Sequence, residues 1–159
     1  MTLTARTKAP DFTMPADGDG SVSLSDFKGQ PLVLYFYPKD DTPGCTTQAC
    51  TFTETLPQFH KLNCAIVGVS KDTVSKHDKF KAKHNIQFTL ASDAETDVCE
   101  RYGVWKEKSM YGKSYMGIER TTFLIDGNGV IKNVWNKVKV KGHIEEVLAA
   151  VEQLRKEAV

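Results

Sequence analysis

The 159-residue chain has four cysteines, Cys45, Cys50, Cys64 and Cys99, but no C-x-x-C pair. That absence argues against both a zinc site and a paired-thiol redox centre of the usual spacing. No apolar run approaches the ~20 residues that cross a bilayer. Residues 1–8 lack the hydrophobic core of a signal peptide. A cytoplasmic protein with no membrane partner is therefore expected, and in that compartment disulfides are transient and catalytic rather than structural. Charge of one sign is also missing: 21 basic residues face 20 acidic ones, a net charge of +1, so nothing demands a nucleic-acid partner. There is no Gly-rich phosphate-binding motif, and no internal repeat, linker or low-complexity tract. Residues 1–159 read as one domain with one core. The four histidines are scattered, without metal-ligand spacing, and are expected to be solvated surface residues.

What is present is organised around residues 32–50. The run Leu32-Val33-Leu34-Tyr35-Phe36-Tyr37 has the length of a buried strand and is too short for a helix. Pro38 ends it, Thr42-Pro43-Gly44 is turn chemistry, and from Cys45 no glycine or proline interrupts until Pro57. Cys45 thus falls in the first turn of an expected helix. The free N–H groups and positive dipole there favour an anion, and a thiolate is both an anion and the reactive form of cysteine. Cys50 follows five residues later, about 7.5 Å along a helix and about 140° around it. Disulfide geometry needs closer Cα atoms and converging Cβ vectors. An intact helix should keep the two apart, and a locally unwound one can join them.

Around this centre the pattern alternates strand and helix. Residues 11–14 and 21–24 predict a small N-terminal hairpin about the two Asp-Gly pairs. Ser25 is a candidate cap for a short helical turn. Residues 64–70 and 88–91 predict strands, with Cys64 buried and inert. A helix capped by Asp72 or Thr73 is expected to reach about His84, with its lysines on a solvated face. Pro57 either starts a second helical piece or kinks one longer helix. Residues 93–102 predict a helix with Val98 and Cys99 inward, and residues 103–117 an irregular loop rich in aromatic and basic residues. Residues 120–125 and 130–135 flank Asp126-Gly127-Asn128-Gly129, a strong hairpin signal, and residues 142–158 form an amphipathic helix. The order implies an α/β protein with a mixed central sheet and flanking helices, a thioredoxin-like arrangement.

Pro38, Thr42 and Cys45 form a P-x-x-x-T-x-x-C pattern that resembles the peroxiredoxin signature. The Cys45–Cys50 spacing, with Thr42-Pro43-Gly44-Cys45-Thr46 and Gln48-Ala49-Cys50, is similar to the atypical two-cysteine subgroup called bacterioferritin comigratory protein or peroxiredoxin Q. The likeness runs from Ala9-Pro10-Asp11-Phe12 to Arg120-Thr121-Thr122-Phe123-Leu124-Ile125-Asp126. One departure is Thr53, where many relatives carry arginine. The resemblance implies a thioredoxin-like fold and a thiol-dependent peroxidase needing no cofactor. It implies that Cys45 attacks hydrogen peroxide or an organic hydroperoxide, that Cys50 resolves the sulfenic acid, and that thioredoxin or a similar dithiol recycles the disulfide. It assigns Arg120 to the active site, Thr42 to the peroxide and Pro38 to shielding the thiolate pocket. A monomer is expected. Two other readings stand beside it, a thiol–disulfide oxidoreductase and a redox-switch or metal-binding module without turnover.

Overall fold

The computed structural model describes residues 3–157. Its centre is the predicted strand β3 (Leu32–Phe36), all five residues of which are buried. A strand covered on both faces can be apolar throughout instead of alternating, which is why this run has no period. β4 (Ala65–Ser70) lies parallel to β3 on one side, and β8 (Thr121–Ile125) antiparallel on the other. With β1 (Thr13–Ala16), β2 (Gly20–Ser23), β5 (Thr89–Ser92) and β9 (Ile131–Trp135) they form a seven-stranded mixed sheet of order β2-β1-β5-β4-β3-β8-β9. The N-terminal hairpin is present, its first strand two residues later and its second one residue earlier than the sequence suggests. It is followed by a single 3-10 turn (Leu24–Phe27) entered at Ser23, not Ser25, with the Asp26 carboxylate accepting the Ser23 N–H at 2.8 Å.

Two apolar clusters fill the faces of the sheet. One packs Phe12, Leu34, Phe36, Tyr102 and Phe123 together. The other joins Tyr35, Tyr37, Cys45, Phe52, Phe59, Phe80 and the inner face of the last helix. Helix α1 (Pro43–Lys61) is one continuous helix with Pro57 inside it. It presents Cys45, Gln48, Ala49, Phe52, Leu56 and Phe59 to the sheet, the three-and-four spacing of an amphipathic face. α2 (Val74–His84) is capped by Thr73, whose hydroxyl accepts the Lys76 N–H, and ends at Asn85 in the left-handed region. α4 (His143–Glu157) covers the same face as α1. The expected end of that helix, Ala158, lies outside the described residues.

Four further expectations are corrected. The helix predicted over residues 93–102 is only α3 (Val98–Arg101), because the Asp93 carboxylate accepts the N–H groups of Val98 and Cys99 at 3.0 and 2.8 Å and so caps the helix from a distance. The irregular loop over residues 103–117 is a two-stranded hairpin, β6 (Trp105–Met110) with β7 (Lys113–Ile118), reversing at Tyr111-Gly112, both at positive φ. The histidines divide: His60 is exposed and His84 half-buried, but His77 and His143 are buried. The lysine face of α2 is also less free than expected, since Lys81 bonds Asp17 and Lys83 bonds Asp41.

Candidate active site

Thr42 is the N-cap of α1, with Pro43 and Gly44 opening the first turn. The first backbone bond of the helix runs from Thr46 N–H to the Thr42 carbonyl at 2.8 Å. The N–H groups of Gly44 and Cys45 precede it and point out of the helix end, where they favour negative charge. Cys45 is buried to 2% exposure. Arg120, just before β8, reaches it from a position 75 residues away and donates from Nη2 to Cys45 Sγ at 3.3 Å. Its Nη1 donates to Gln48 Oε1 at 2.6 Å. Gly44 makes room for the guanidinium, since a Cβ there would stand 3.2 Å from Arg120 Nη2. The helix end and the guanidinium therefore converge on one sulfur.

Of the residues singled out from sequence, Cys45, Thr42 and Arg120 meet at this helix end. The Thr42 hydroxyl donates to the Lys39 carbonyl at 2.8 Å, which leaves its lone pairs to accept a proton-bearing oxygen. Pro38 stands at the end of β3 and is exposed. Cys50 lies off the buried stripe of α1 and is half-buried. All four cysteines are free thiols. Partial burial, and then the Glu54 carboxylate, push the Cys50 thiol up. Burial pushes Cys64 up to about 12 and Cys99 well above the ordinary thiol range. Thr53 accepts the Gln87 N–H at 3.4 Å.

Sequence reasoning missed four residues here. Gln48 orients Arg120; the sequence offered it only as part of the Gln48-Ala49-Cys50 likeness, without a role. The Tyr35 phenol is buried under α1; burial raises its pKa, and the charge of Cys45 is the next influence. Tyr35 OH and Gln48 Nε2 are the buried side-chain polar atoms without a partner among the described residues. His143 is held below its usual range, at about 4, by burial and then by the charge of Arg120. His77 bonds Asp40 in the turn before Thr42 at 2.6 Å.

Comparison with known proteins gives one answer. Residues 5–134 match the AhpC/TSA family. The chain is 50% identical over 154 residues to peroxiredoxin Bcp of Bacillus subtilis, covering 97% of this chain and 98% of that one. It is 44% identical over 140 residues to peroxiredoxin Bcp of Escherichia coli, covering 88% and 90%. Among solved structures, peroxiredoxin Q of Xanthomonas campestris superposes with a TM-score of 0.89 at 43% identity, covering 96% of this chain and 99% of that one. PrxQ of Xylella fastidiosa does so with a TM-score of 0.89 at 41% identity, covering 100% and 99%. The thioredoxin-like fold, the thiolate-favouring helix end and these relatives agree: the chain belongs to the AhpC/TSA family, among the peroxiredoxins of the Bcp or Q type, and is a thiol-dependent peroxidase.

Proposed function

We propose that Cys45 is the peroxide-reacting cysteine and Cys50 its resolving partner. The observation that carries this is the Arg120 guanidinium 3.3 Å from Cys45 Sγ at the start of α1. The Cys45 thiolate attacks the near oxygen of ROOH, the O–O bond breaks, and the products are Cys45–SOH and RO⁻, which takes a proton to leave as ROH. Arg120 and the N–H groups of Gly44 and Cys45 stabilise the charge moving onto the departing oxygen. Thr42 accepts from the peroxide O–H, and Pro38 borders the approach.

Cys50 then attacks the sulfenic sulfur, forming the Cys45–Cys50 disulfide and water. Because Cys45 faces the sheet and Cys50 does not, the first turns of α1 must unwind for this step. Cys64 and Cys99, at 1% and 0% exposure, are poorly placed to compete. An external dithiol, thioredoxin or a similar protein, returns both thiols by disulfide exchange. A cavity of about 410 Å³ beside the helix end, bordered by Pro43, Gly44, Thr47, Val140 and Ile144, has room for the alkyl part of an organic hydroperoxide. The reading includes action as one domain, as a monomer in the cytoplasm; no helix among the described residues is long and apolar enough to cross a membrane.

The test is a pair of variants. Cys45→Ser loses turnover with every peroxide. Cys50→Ser consumes one equivalent per chain and stops, holding a Cys45 sulfenic acid that dimedone traps with the expected mass shift. Sustained turnover by Cys50→Ser with thioredoxin would assign resolution to another thiol.

A further inference from the structure

The turn that leads into α1 is held from two sides. On its outer side Asp41, at φ +60°, meets Lys83 Nζ at 2.8 Å and His84 Nε2 at 3.0 Å. Asp41 and Lys83 are exposed and His84 is half-buried, and exposed pairs contribute little. On its inner side the Asp40 carboxylate is enclosed. Oδ1 accepts the Tyr37 hydroxyl at 2.6 Å, and Oδ2 shares a proton with His77 Nδ1 across 2.6 Å. His77 is fully buried, and its Nε2 donates to the Ala91 carbonyl of β5 at 2.9 Å. Both ring nitrogens are therefore hydrogen-bonded to oxygen, which fixes the rotation of the ring. The Asp40 N–H in turn donates to Asp72 Oδ2 at 2.8 Å.

We propose that Asp40 and His77 are positioning residues for the peroxide step, their buried bond locking the turn that carries Thr42 and the first free N–H groups of α1. The proposal rests on the peroxidase reading of Cys45. Asp40 is two residues before Thr42, whose carbonyl takes the first helical bond. At so short a distance along the chain, a shift of the turn moves Thr42 and the Gly44 and Cys45 N–H groups together. Misplacement by about 1 Å costs on the order of 100-fold in rate. The inner pair has the properties that such a lock requires. It is buried, both Asp40 oxygens and both His77 nitrogens are hydrogen-bonded, and it ties α2, β5 and the end of β3 together. Buried, fully bonded polar networks of this kind specify one arrangement.

The experiment compares three readouts for Asp40→Asn, His77→Leu, the double variant Asp40→Ala/His77→Leu, and Asp41→Asn. They are the second-order rate of Cys45 oxidation by hydrogen peroxide in rapid quench, the rate of Cys45 alkylation by iodoacetamide, and Tm. Asp40→Asn and His77→Leu are expected to lose ~10- to 100-fold in the peroxide rate while alkylation changes less than about threefold. The double variant leaves no carboxylate buried without its partner; it recovers Tm but not the peroxide rate. Asp41→Asn keeps the peroxide rate within about twofold, as an exposed pair should. A double variant with wild-type peroxide rate would reduce the pair to a structural role and overturn the proposal. So would parallel losses in peroxide and alkylation rates, or an equal loss in Asp41→Asn. If His77→Leu does not fold, Asp40→Asn and the double variant decide the question. Failure of the wild-type protein to react with peroxide would instead overturn the reading of Cys45.

Discussion

At Arg120 one side chain acts through both of its terminal nitrogens. Nη2 faces the sulfur and Nη1 faces Gln48, a fork that only a planar guanidinium offers. Replacing it by methionine removes a donor from the place where, on the proposed mechanism, charge develops. Arg120→Met is expected to lower the rate of Cys45 with hydrogen peroxide by about 10²- to 10³-fold. Arg120→Lys should recover part of the charge effect but not the fork. Stopped-flow oxidation at fixed pH measures both, and a loss under threefold in Arg120→Met would remove Arg120 from the chemistry. The sequence pointed to Cys45, Cys50 and Thr42 through residue type and position, and to Arg120 through the resemblance to the peroxiredoxin family. It did not show Gln48, Tyr35, Asp40 or His77. Their importance lies in which neighbours the fold brings to them, across as many as 72 residues for Gln48 and Arg120.

Helix α1 is the element on which the cycle turns, and its composition resists helicity. Thr47, Thr51 and Thr55 each donate a hydroxyl bond to the carbonyl four residues back, at 3.0, 2.9 and 2.8 Å, a pattern that weakens and bends helices. Pro57 removes a further backbone bond. Threonine is about 0.5 kcal/mol poorer than alanine in a helix. Thr47→Ala/Thr51→Ala should therefore favour the closed helix by about 1 kcal/mol, slowing disulfide closure roughly fivefold. The first oxidation by hydrogen peroxide should be unchanged. Mass spectrometry after a peroxide pulse would show more over-oxidised Cys45; unchanged closure would mean that unwinding does not limit this step. Elements with one buried face were readable from pattern: α1, α2, α4 and the strands of the main sheet. The β6–β7 hairpin was not. None of the six β6 side chains is buried, and Met110, Tyr111, Tyr115 and Met116 all face solvent, so no buried face imposed an alternation on the sequence. α3 shrank for a different reason, since Asp93 supplies by long reach the cap that local residues were expected to supply.

Across the whole molecule, α4 closes the same face of the sheet as α1, and His143 sits at that seam. Its Nε2 lies 2.8 Å from the Thr122 hydroxyl of β8, and its ring meets Trp135 edge-on at 5.7 Å. Burial, then the nearby Arg120 charge, lower its pKa from 6.5 to about 4. The unfolded chain thus binds a proton more readily than the folded one between those values. Stability linked to His143 is complete above about pH 6.5 and is lost as pH falls toward about 4, by on the order of 3 kcal/mol. Urea denaturation at several pH values should show this loss in the wild-type protein and its absence in His143→Gln. Parallel pH profiles for the two would show that folding leaves the His143 pKa unchanged.

The strand order has a consequence for the newly made chain. β3 carries the chain into Cys45, but one of its two neighbours is β8, and Arg120 arrives 75 residues after the cysteine. At about 5–20 residues per second of synthesis, that separation is roughly 4–15 s. Throughout this interval Cys45 has left the ribosome without its guanidinium partner, and its helix has no seat on a finished sheet. The guanidinium can meet the sulfur only when the β3–β8 pair closes, so the proposed site is completed late in biogenesis.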